Sequence, residues 1–123
     1  MPDIILVSGG FDPIHSGHIK LINDANKYGD VVVLLNSDEW LRNKKGKEFL
    51  SFDERKIIMQ NIKGVLDVLD FDDSDQSCVD GILKAKNLFQ NNIIKFANGG
   101  DRNNKTTPEK EFCDKNNIET LFG

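Results

Sequence analysis

The 123-residue chain has few of the residues that cross-link or anchor a fold. Its two cysteines, Cys78 and Cys113, lie far apart, and no C-x-x-C or His/Cys spacing of a zinc site is present. The longest apolar run, residues 31–35, is too short to span a bilayer, and no basic segment precedes an N-terminal apolar stretch. These absences exclude a disulfide framework and a zinc ribbon. We expect a cytoplasmic protein with reduced thiols and no membrane partner.

Excess positive charge is also lacking, because the formal net charge is -4 and the sequence pI is about 5.1. A mildly acidic chain does not favour nucleic acid as a partner. Charge is instead local, with a basic cluster at residues 42–47 and an acidic run at residues 70–75. With 38% hydrophobic and 29% charged residues, the composition is that of an ordinary globular protein. The length suits one domain over residues 1–123.

Apolar patterns and turn signals alternate along the chain. Short apolar runs predict strands at residues 4–7, 31–35, 65–69, 93–97 and 118–122, and amphipathic spacing predicts helices at residues 17–28, 52–62, 77–89 and 108–115. Gly29 is expected as the C-cap of the first helix. The pattern predicts an α/β fold, a Rossmann-like five-stranded parallel sheet with helices on both faces. Ligands then bind beyond the carboxyl ends of the strands.

The segment GGFDPIHSGH, residues 9–18, follows the first strand. Gly9 and Gly10 let the backbone turn tightly and approach a ligand. A helix start after them offers free N–H groups and a positive dipole end to a phosphate. His15 and His18, the only histidines of the chain, flank that start, and Gly17 leaves the space between them clear. This placement predicts an anion site with two imidazole donors.

The same segment resembles the Gly-x-Phe-Asp-x-x-His-x-Gly-His motif of the cytidylyltransferase-like nucleotidyltransferases. The polar turn at residues 36–38, the acidic-x-Arg helix start at residues 53–56 and the Gly-Gly-Asp turn at residues 99–101 are also similar to that family. Two of its subfamilies are similar, the glycerol-3-phosphate cytidylyltransferases and the adenylyltransferases that activate heptose 1-phosphate. Residues 36–46 with the Gly-Gly-Asp turn favour the second.

The resemblance implies transfer of AMP or CMP from ATP or CTP to a small sugar or polyol phosphate, with release of pyrophosphate and with Mg²⁺ carried by the nucleotide. It implies no enzyme nucleophile, because an ionised phosphate attacks the α-phosphorus directly. A dinucleotide-binding oxidoreductase is disfavoured, because G-x-G-x-x-G is absent after the first strand.

The resemblance also implies a role for each matching residue. The catalytic set is His15, His18, Lys44 and Arg55, the nucleotide-binding set is Gly9, Gly10, Phe11, Asp12, Gly17 and Asp101, the acceptor-binding residue is Asp38, and no residue is assigned as a metal ligand. Lys45 or Lys47 could share the role of Lys44.

Four of these assignments have a plainer alternative, and for His15 and His18 it is a coincidental helix cap. Lys44 could belong to a solvated loop, Arg55 could be a surface charge on a capped helix, and Asp38 could be a helix N-cap. Trp40, the only tryptophan, is expected to pack rather than to stack on a base, and the acidic run is expected to be a solvated loop.

One departure from the family concerns the end of the chain. Relatives continue after the fifth strand into a Ser/Thr-rich helix start that holds the triphosphate, whereas this sequence stops at residue 123. We therefore also consider a truncated nucleotide-binding module that is catalytically weak without a partner chain. A homodimer is expected from the small parallel sheet.

Overall fold

A computed structural model describes residues 2–97 and 107–121. The strands are β1 (Ile4–Gly9), β2 (Asp30–Leu35), β3 (Val65–Leu69), β4 (Ile94–Ala97) and β5 (Glu119–Leu121). They form one five-stranded sheet in the order β3-β2-β1-β4-β5, and every neighbouring pair is parallel. The predicted fold class is therefore confirmed.

The helices are α1 (Ser16–Asn26), α2 (Asp38–Lys45), α3 (Phe52–Gln60), α4 (Val79–Leu88) and α5 (Pro108–Lys115). Ile22 of α1 and Met59 of α3 pack in one apolar cluster with one face of the sheet. Ile82 of α4 and Cys113 of α5 pack in a second cluster on the other face. Helices thus cover both faces, as predicted.

The two central strands form the core of the sheet. All five residues from Val31 to Leu35 are fully buried, and so are Ile5, Leu6 and Val7. Such continuous apolar runs are typical of strands covered on both faces, and each fully buried aliphatic side chain stabilises the fold by about 1.5–3 kcal/mol. β1 and β2 therefore fix the position of whatever follows their carboxyl ends.

Helix α2 was not predicted. Ser37 caps its first turn by accepting from the Trp40 amide at 3.0 Å, and Gly46 ends it in the left-handed conformation with φ of 87°. Asp38 and Glu39 lie in the first turn and Arg42, Lys44 and Lys45 in the last, which suits the helix dipole. The solvated-loop alternative for the Lys44 segment is therefore wrong. The low apolar content of these eight residues concealed the helix.

The end of α1 also differs from the prediction. The helix ends at Asn26 with Lys27 as its C-cap, two residues before Gly29. A side chain at position 29 would collide with the backbone carbonyl of Asp3, which also accepts from the amide of Asp30 at 2.9 Å. Gly29 therefore permits a close approach of two segments rather than capping the helix.

Strand order reverses between β1 and β4, because the chain moves outward from β1 to β3 and then returns to the other side of β1. In open parallel sheets, ligands bind at this switch point, beyond the carboxyl ends of the strands. Gly10 to His18 lie at this place. No helix in the described ranges is long and apolar enough to cross a membrane.

Candidate active site

A cleft of about 380 Å³ opens beyond the carboxyl end of β1, between the start of α1 and one side of α2. Its volume lies in the usual range for small-molecule sites. The predicted site residues that line it are Gly9, Gly10, Phe11, Asp12, His15, His18 and Lys44. We call this space the cleft.

The two histidines form the start of α1. His15 is the N-cap, and its Nδ1 accepts from the Gly17 amide at 3.0 Å. Nδ1 of His18 accepts from the His15 amide at 3.1 Å, which completes a capping box made of two imidazoles. The rings stack with centroids 3.8 Å apart and planes 23° from parallel. The helix start therefore fixes both rings against each other.

This bonding pattern assigns the protons of the two rings. A ring nitrogen that accepts a hydrogen bond carries no proton, so the neutral form of each ring has its proton on Nε2. Within residues 2–97 and 107–121, neither Nε2 atom has a hydrogen-bond partner. Burial, and then the neighbouring His15, lower the pKa of His18 from its ordinary value. The cleft thus has two Nε2–H donors beside a helix N-terminus.

Two glycines keep this arrangement open. A Cβ at Gly17 would lie 2.9 Å from Cε1 of His15, so any side chain there would displace the imidazole. A Cβ at Gly10 would lie 2.6 Å from Cδ2 of Leu41, so Gly10 lets α2 approach the end of β1. Phe11, 5% exposed, packs its ring edgewise on His18 with centroids 4.8 Å apart.

Two adjacent lysines of α2 have different surroundings. Nζ of Lys44 lies 4.6 Å from the centroid of the Trp40 ring, and both side chains line the cleft. Nζ of Lys45 is 3.0 Å from Oδ2 of Asp12 and also donates to the Asp12 carbonyl at 2.6 Å. Among the described residues, only Lys45 of the two has a carboxylate partner. Lys44 is therefore the cation that remains available to an anion in the cleft.

The Asp12 carboxylate is fully buried and holds a loop. One oxygen accepts from the Phe49 amide at 2.6 Å and the other from the Leu50 amide at 2.8 Å. Burial alone would raise the pKa of Asp12, but these hydrogen bonds and Lys45 outweigh it and hold the pKa below its ordinary value. Both oxygens are thus engaged within the chain, which ties residues 49 and 50 to the end of β1.

Arg55 is 1% exposed and does not line the cleft. Its Nε donates to the Leu50 carbonyl at 3.0 Å, and Nη1 donates to the carbonyls of Gly10 at 3.1 Å and Asn36 at 2.7 Å. Nη2 donates to Oδ1 of Asp38 at 2.7 Å. The surface-charge alternative is therefore wrong, and the guanidinium joins three loops at the carboxyl edge of the sheet.

Asp38 is the first residue of α2, and Ser37 is the N-cap, so the N-cap alternative for Asp38 is also wrong. The Asp38 carboxylate pairs with Arg55 and is 28% exposed. It lies on a separate cavity of about 220 Å³ with Phe52 and Phe71. The structure therefore places Asp38 near the cleft but not in its wall.

Sequence reasoning missed Asp73, which belongs to the acidic run that we expected to be a solvated loop. It is 7% exposed. Its Oδ2 accepts from the Ser37 amide at 2.8 Å and from Nδ2 of Asn36 at 3.1 Å, and its Oδ1 accepts from the Ser37 hydroxyl at 2.8 Å. We call Asp12, Arg55 and Asp73 the brace, because each is a buried charged side chain that ties loops together at this edge. A carboxylate whose partner lies 36 positions away gives no local signal of that contact.

In the part of the chain that the structure describes, no three His, Cys, Asp or Glu side chains come together as a metal site. Asp101, predicted to contact the nucleotide, lies outside the described residues. Cys78 and Cys113 are free and buried, and burial raises the pKa of their thiols to about 12 and about 11. Neither thiol is therefore a reactive nucleophile.

The sheet is parallel with this strand order, and hydrogen-bond donors that suit a phosphate lie at the start of the first helix. These features define a Rossmann-like nucleotide-binding protein. The cytidylyltransferase-like family model matches residues 6–114, and the chain belongs to that family. It is a nucleotidyltransferase, as the sequence predicted.

Relatives from both predicted subfamilies are similar. Glycerol-3-phosphate cytidylyltransferase of Bacillus subtilis (strain 168) is 32% identical over 111 residues, covering 89% of this chain and 81% of that protein. Bifunctional protein HldE of Hydrogenovibrio crunogenus (strain DSM 25203 / XCL-2) is 36% identical over 111 residues, covering 89% of this chain but only 17% of that protein.

A crystal structure of the lipopolysaccharide core biosynthesis protein from Thermoplasma volcanium GSS1 has a TM-score of 0.68 with this chain. At 20% identity, covering 96% of this chain and 93% of that one, it supports the fold.

Proposed function

We propose that the chain transfers AMP or CMP from ATP or CTP to a small sugar or polyol phosphate and releases pyrophosphate. The observation that carries this proposal is the pair of stacked imidazoles whose Nδ1 atoms accept backbone amides. Their Nε2–H groups are left to meet an anion in the cleft, beside Lys44. The name of one relative, glycerol-3-phosphate cytidylyltransferase, supports the substrate class.

The proposed chemistry requires positioning and charge stabilisation rather than a nucleophile. An acceptor phosphate oxygen attacks the α-phosphorus in line, the new phosphoanhydride bond forms, and the bond to pyrophosphate breaks. Negative charge grows on the phosphoryl oxygens in the transition state. His15 and His18 donate to those oxygens, and Lys44 moves from the Trp40 ring to the phosphates.

Magnesium is proposed to arrive bound to the nucleotide. The described residues form no cage for the ion, and Asp12, the carboxylate in the cleft wall, already accepts from two amides and Lys45. Mg²⁺ bound to phosphates usually keeps several waters, so a protein cage is not required. When bound, the ion would neutralise phosphate charge.

Two further expectations accompany this function. We propose a homodimer, since the edge strand β3 exposes Leu66 at 54% and the helix beside it exposes Ile57 at 57%. Sedimentation of the purified chain at several concentrations tests this. We also propose a cytoplasmic location, with which the two free cysteines agree.

The first experiment measures pyrophosphate release with ATP or CTP, Mg²⁺ and a panel of sugar and polyol phosphates. We expect release with one nucleotide and one acceptor class. His18→Ala should lower kcat about 100- to 1000-fold, the scale for loss of one transition-state donor. Ser16→Ala, an exposed neighbour in the same turn, is the matched control.

Two outcomes would contradict the proposal. Equal turnover by wild type and His18→Ala would remove the imidazoles from the mechanism. Nucleotide binding without pyrophosphate release by any acceptor would favour the alternative of a binding module that depends on a partner chain.

A further inference from the structure

We infer that Asp73 is a positioning residue for the phosphate-binding wall of the cleft and acts through α2. The inference rests on the proposed function, and it assigns a role to a residue of the acidic run that was expected to be a solvated loop.

The Asp73 carboxylate is a buried anion without a cationic side chain against it among the described residues. Its charge is met by three neutral donors, the Ser37 amide, the Ser37 hydroxyl and the Asn36 side-chain amide. It therefore lies at the positive end of α2, where the helix dipole favours an anion. A buried charge held in this way fixes its donors tightly, because losing it leaves all of them unpaired.

The hydrogen bonds continue from Ser37 into α2. Oγ of Ser37, which donates to Asp73, also accepts from the Trp40 amide at 3.0 Å and so begins the helix. Trp40 and Lys44 are one turn apart on α2 and line the cleft. Asp73 thus sets where α2 begins, and with it the position of the Lys44 ammonium.

A second branch runs from Asn36 to the other wall. The Asn36 amide donates to the Gly9 carbonyl at 3.0 Å, and the Asn36 carbonyl accepts from Arg55 at 2.7 Å. Gly9 is itself a cleft residue. Asp73 therefore contacts the turn between β2 and α2, and this turn is hydrogen-bonded to the end of β1. Asp73 itself does not line the cleft.

The test is a double-mutant cycle between Asp73 and Lys44 with nucleotide KM and kcat as readouts. Asp73→Ala should lower kcat/KM by up to about tenfold, mainly through nucleotide KM, because misplacing the Lys44 cation cannot cost more than removing it. In a Lys44→Ala background the same change should have less than a third of that effect, because the cation it positions is gone. If Asp73→Ala lowered kcat/KM by the same factor in wild type and in Lys44→Ala, the inference would be overturned.

Two further variants distinguish a positioning role of Asp73 from a general loss of stability. Asp73→Asn keeps the size and one acceptor oxygen, so it should recover part of the lost kcat/KM. Asp72→Ala is the matched control, since Asp72 is the exposed neighbour and accepts from the Ser74 amide at 2.9 Å. An equal loss in Asp72→Ala would mean that the loop matters only for stability and would overturn the inference.

Trp40 provides a readout that does not depend on turnover. It is the only tryptophan of the chain, and Nζ of Lys44 lies 4.6 Å from its ring centroid. We expect Asp73→Ala to shift Trp40 emission in the free protein. It should also weaken the nucleotide affinity, measured by quenching of that emission, about tenfold. Asp72→Ala should do neither. If wild type releases no pyrophosphate the proposed function fails, but this titration still decides whether Asp73 positions the nucleotide site. Unchanged emission and affinity in Asp73→Ala would refute the positioning role.

Discussion

The cleft wall and the brace both contain charged or polar side chains at the carboxyl edge of the sheet, but they differ in what their polar atoms contact. His15, His18 and Lys44 keep a donor that no described residue accepts. Asp12, Arg55 and Asp73 direct their polar atoms to backbone groups and side chains of the chain itself. Groups of the first kind can bind a ligand at once, whereas groups of the second kind would first have to break contacts that hold the fold.

The largest effect should come from the brace. Arg55→Ala removes a buried cation and leaves the carbonyls of Gly10, Asn36 and Leu50 without their partner. We expect the free energy of unfolding to fall by about 3–5 kcal/mol, measured by chemical denaturation. Lys56→Ala, the next cation along α3, should cost far less. A fully stable Arg55→Ala protein without turnover would instead make Arg55 a ligand-binding group. The distinction between the cleft wall and the brace would then be wrong.

Gly17→Ala should separate activity from stability. The new Cβ would press on Cε1 of His15, 2.9 Å away, so we expect kcat to fall about 10- to 100-fold. Stability should change by no more than about 1 kcal/mol, because the preference of a helix for alanine over glycine offsets the weakened His15 cap. Gly46→Ala is the reverse control, since a side chain there meets nothing within 4 Å but φ is 87°. It should lower stability by about 1 kcal/mol and leave kcat unchanged. Wild-type kcat in Gly17→Ala would show that His15 can move without consequence.

The adjacent lysines test the comparison within one helix. Lys44→Ala should raise nucleotide KM about tenfold at constant stability, because it removes the available cation of the cleft. Lys45→Ala should instead lower stability by about 1–3 kcal/mol, because the buried Asp12 carboxylate loses its cation. Steady-state kinetics and thermal unfolding of both variants decide this. The opposite assignment of effects would exchange the roles of the two residues.

The smallest expected effect is on pH dependence. Protonation of His18 would put a proton on Nδ1, which now accepts from the His15 amide. Because burial and His15 lower the pKa of His18, its neutral form persists below the ordinary value of 6.5. We expect kcat/KM to fall as pH decreases through that lowered pKa, and the stability that the neutral ring contributes to be lost as pH falls from 6.5 to the lowered pKa. A rate that increases on acidification would show that the imidazolium is the active form.

The sequence predicted the sheet because β1 and β2 are continuous apolar runs, and it predicted the histidine pair because both residues lie at one strand-to-helix turn. It failed for α2, where capping residues rather than apolar spacing define the helix. It also failed for the brace, because burial of Arg55 and Asp73 depends on partners 45 and 36 positions away. Local patterns reveal groups that face a ligand next to their own turn, and they do not reveal contacts closed by the tertiary fold.

The imidazole capping box has a consequence for motion. The Gly17 amide is held by the His15 ring and the His15 amide by the His18 ring, so opening of the first turn of α1 and loss of the two Nε2–H donors are one event. A phosphate that engages the rings must then slow that opening. Hydrogen exchange at these two amides should therefore become slower when nucleotide is added, and the degree of protection would measure how strongly local order and substrate binding are coupled.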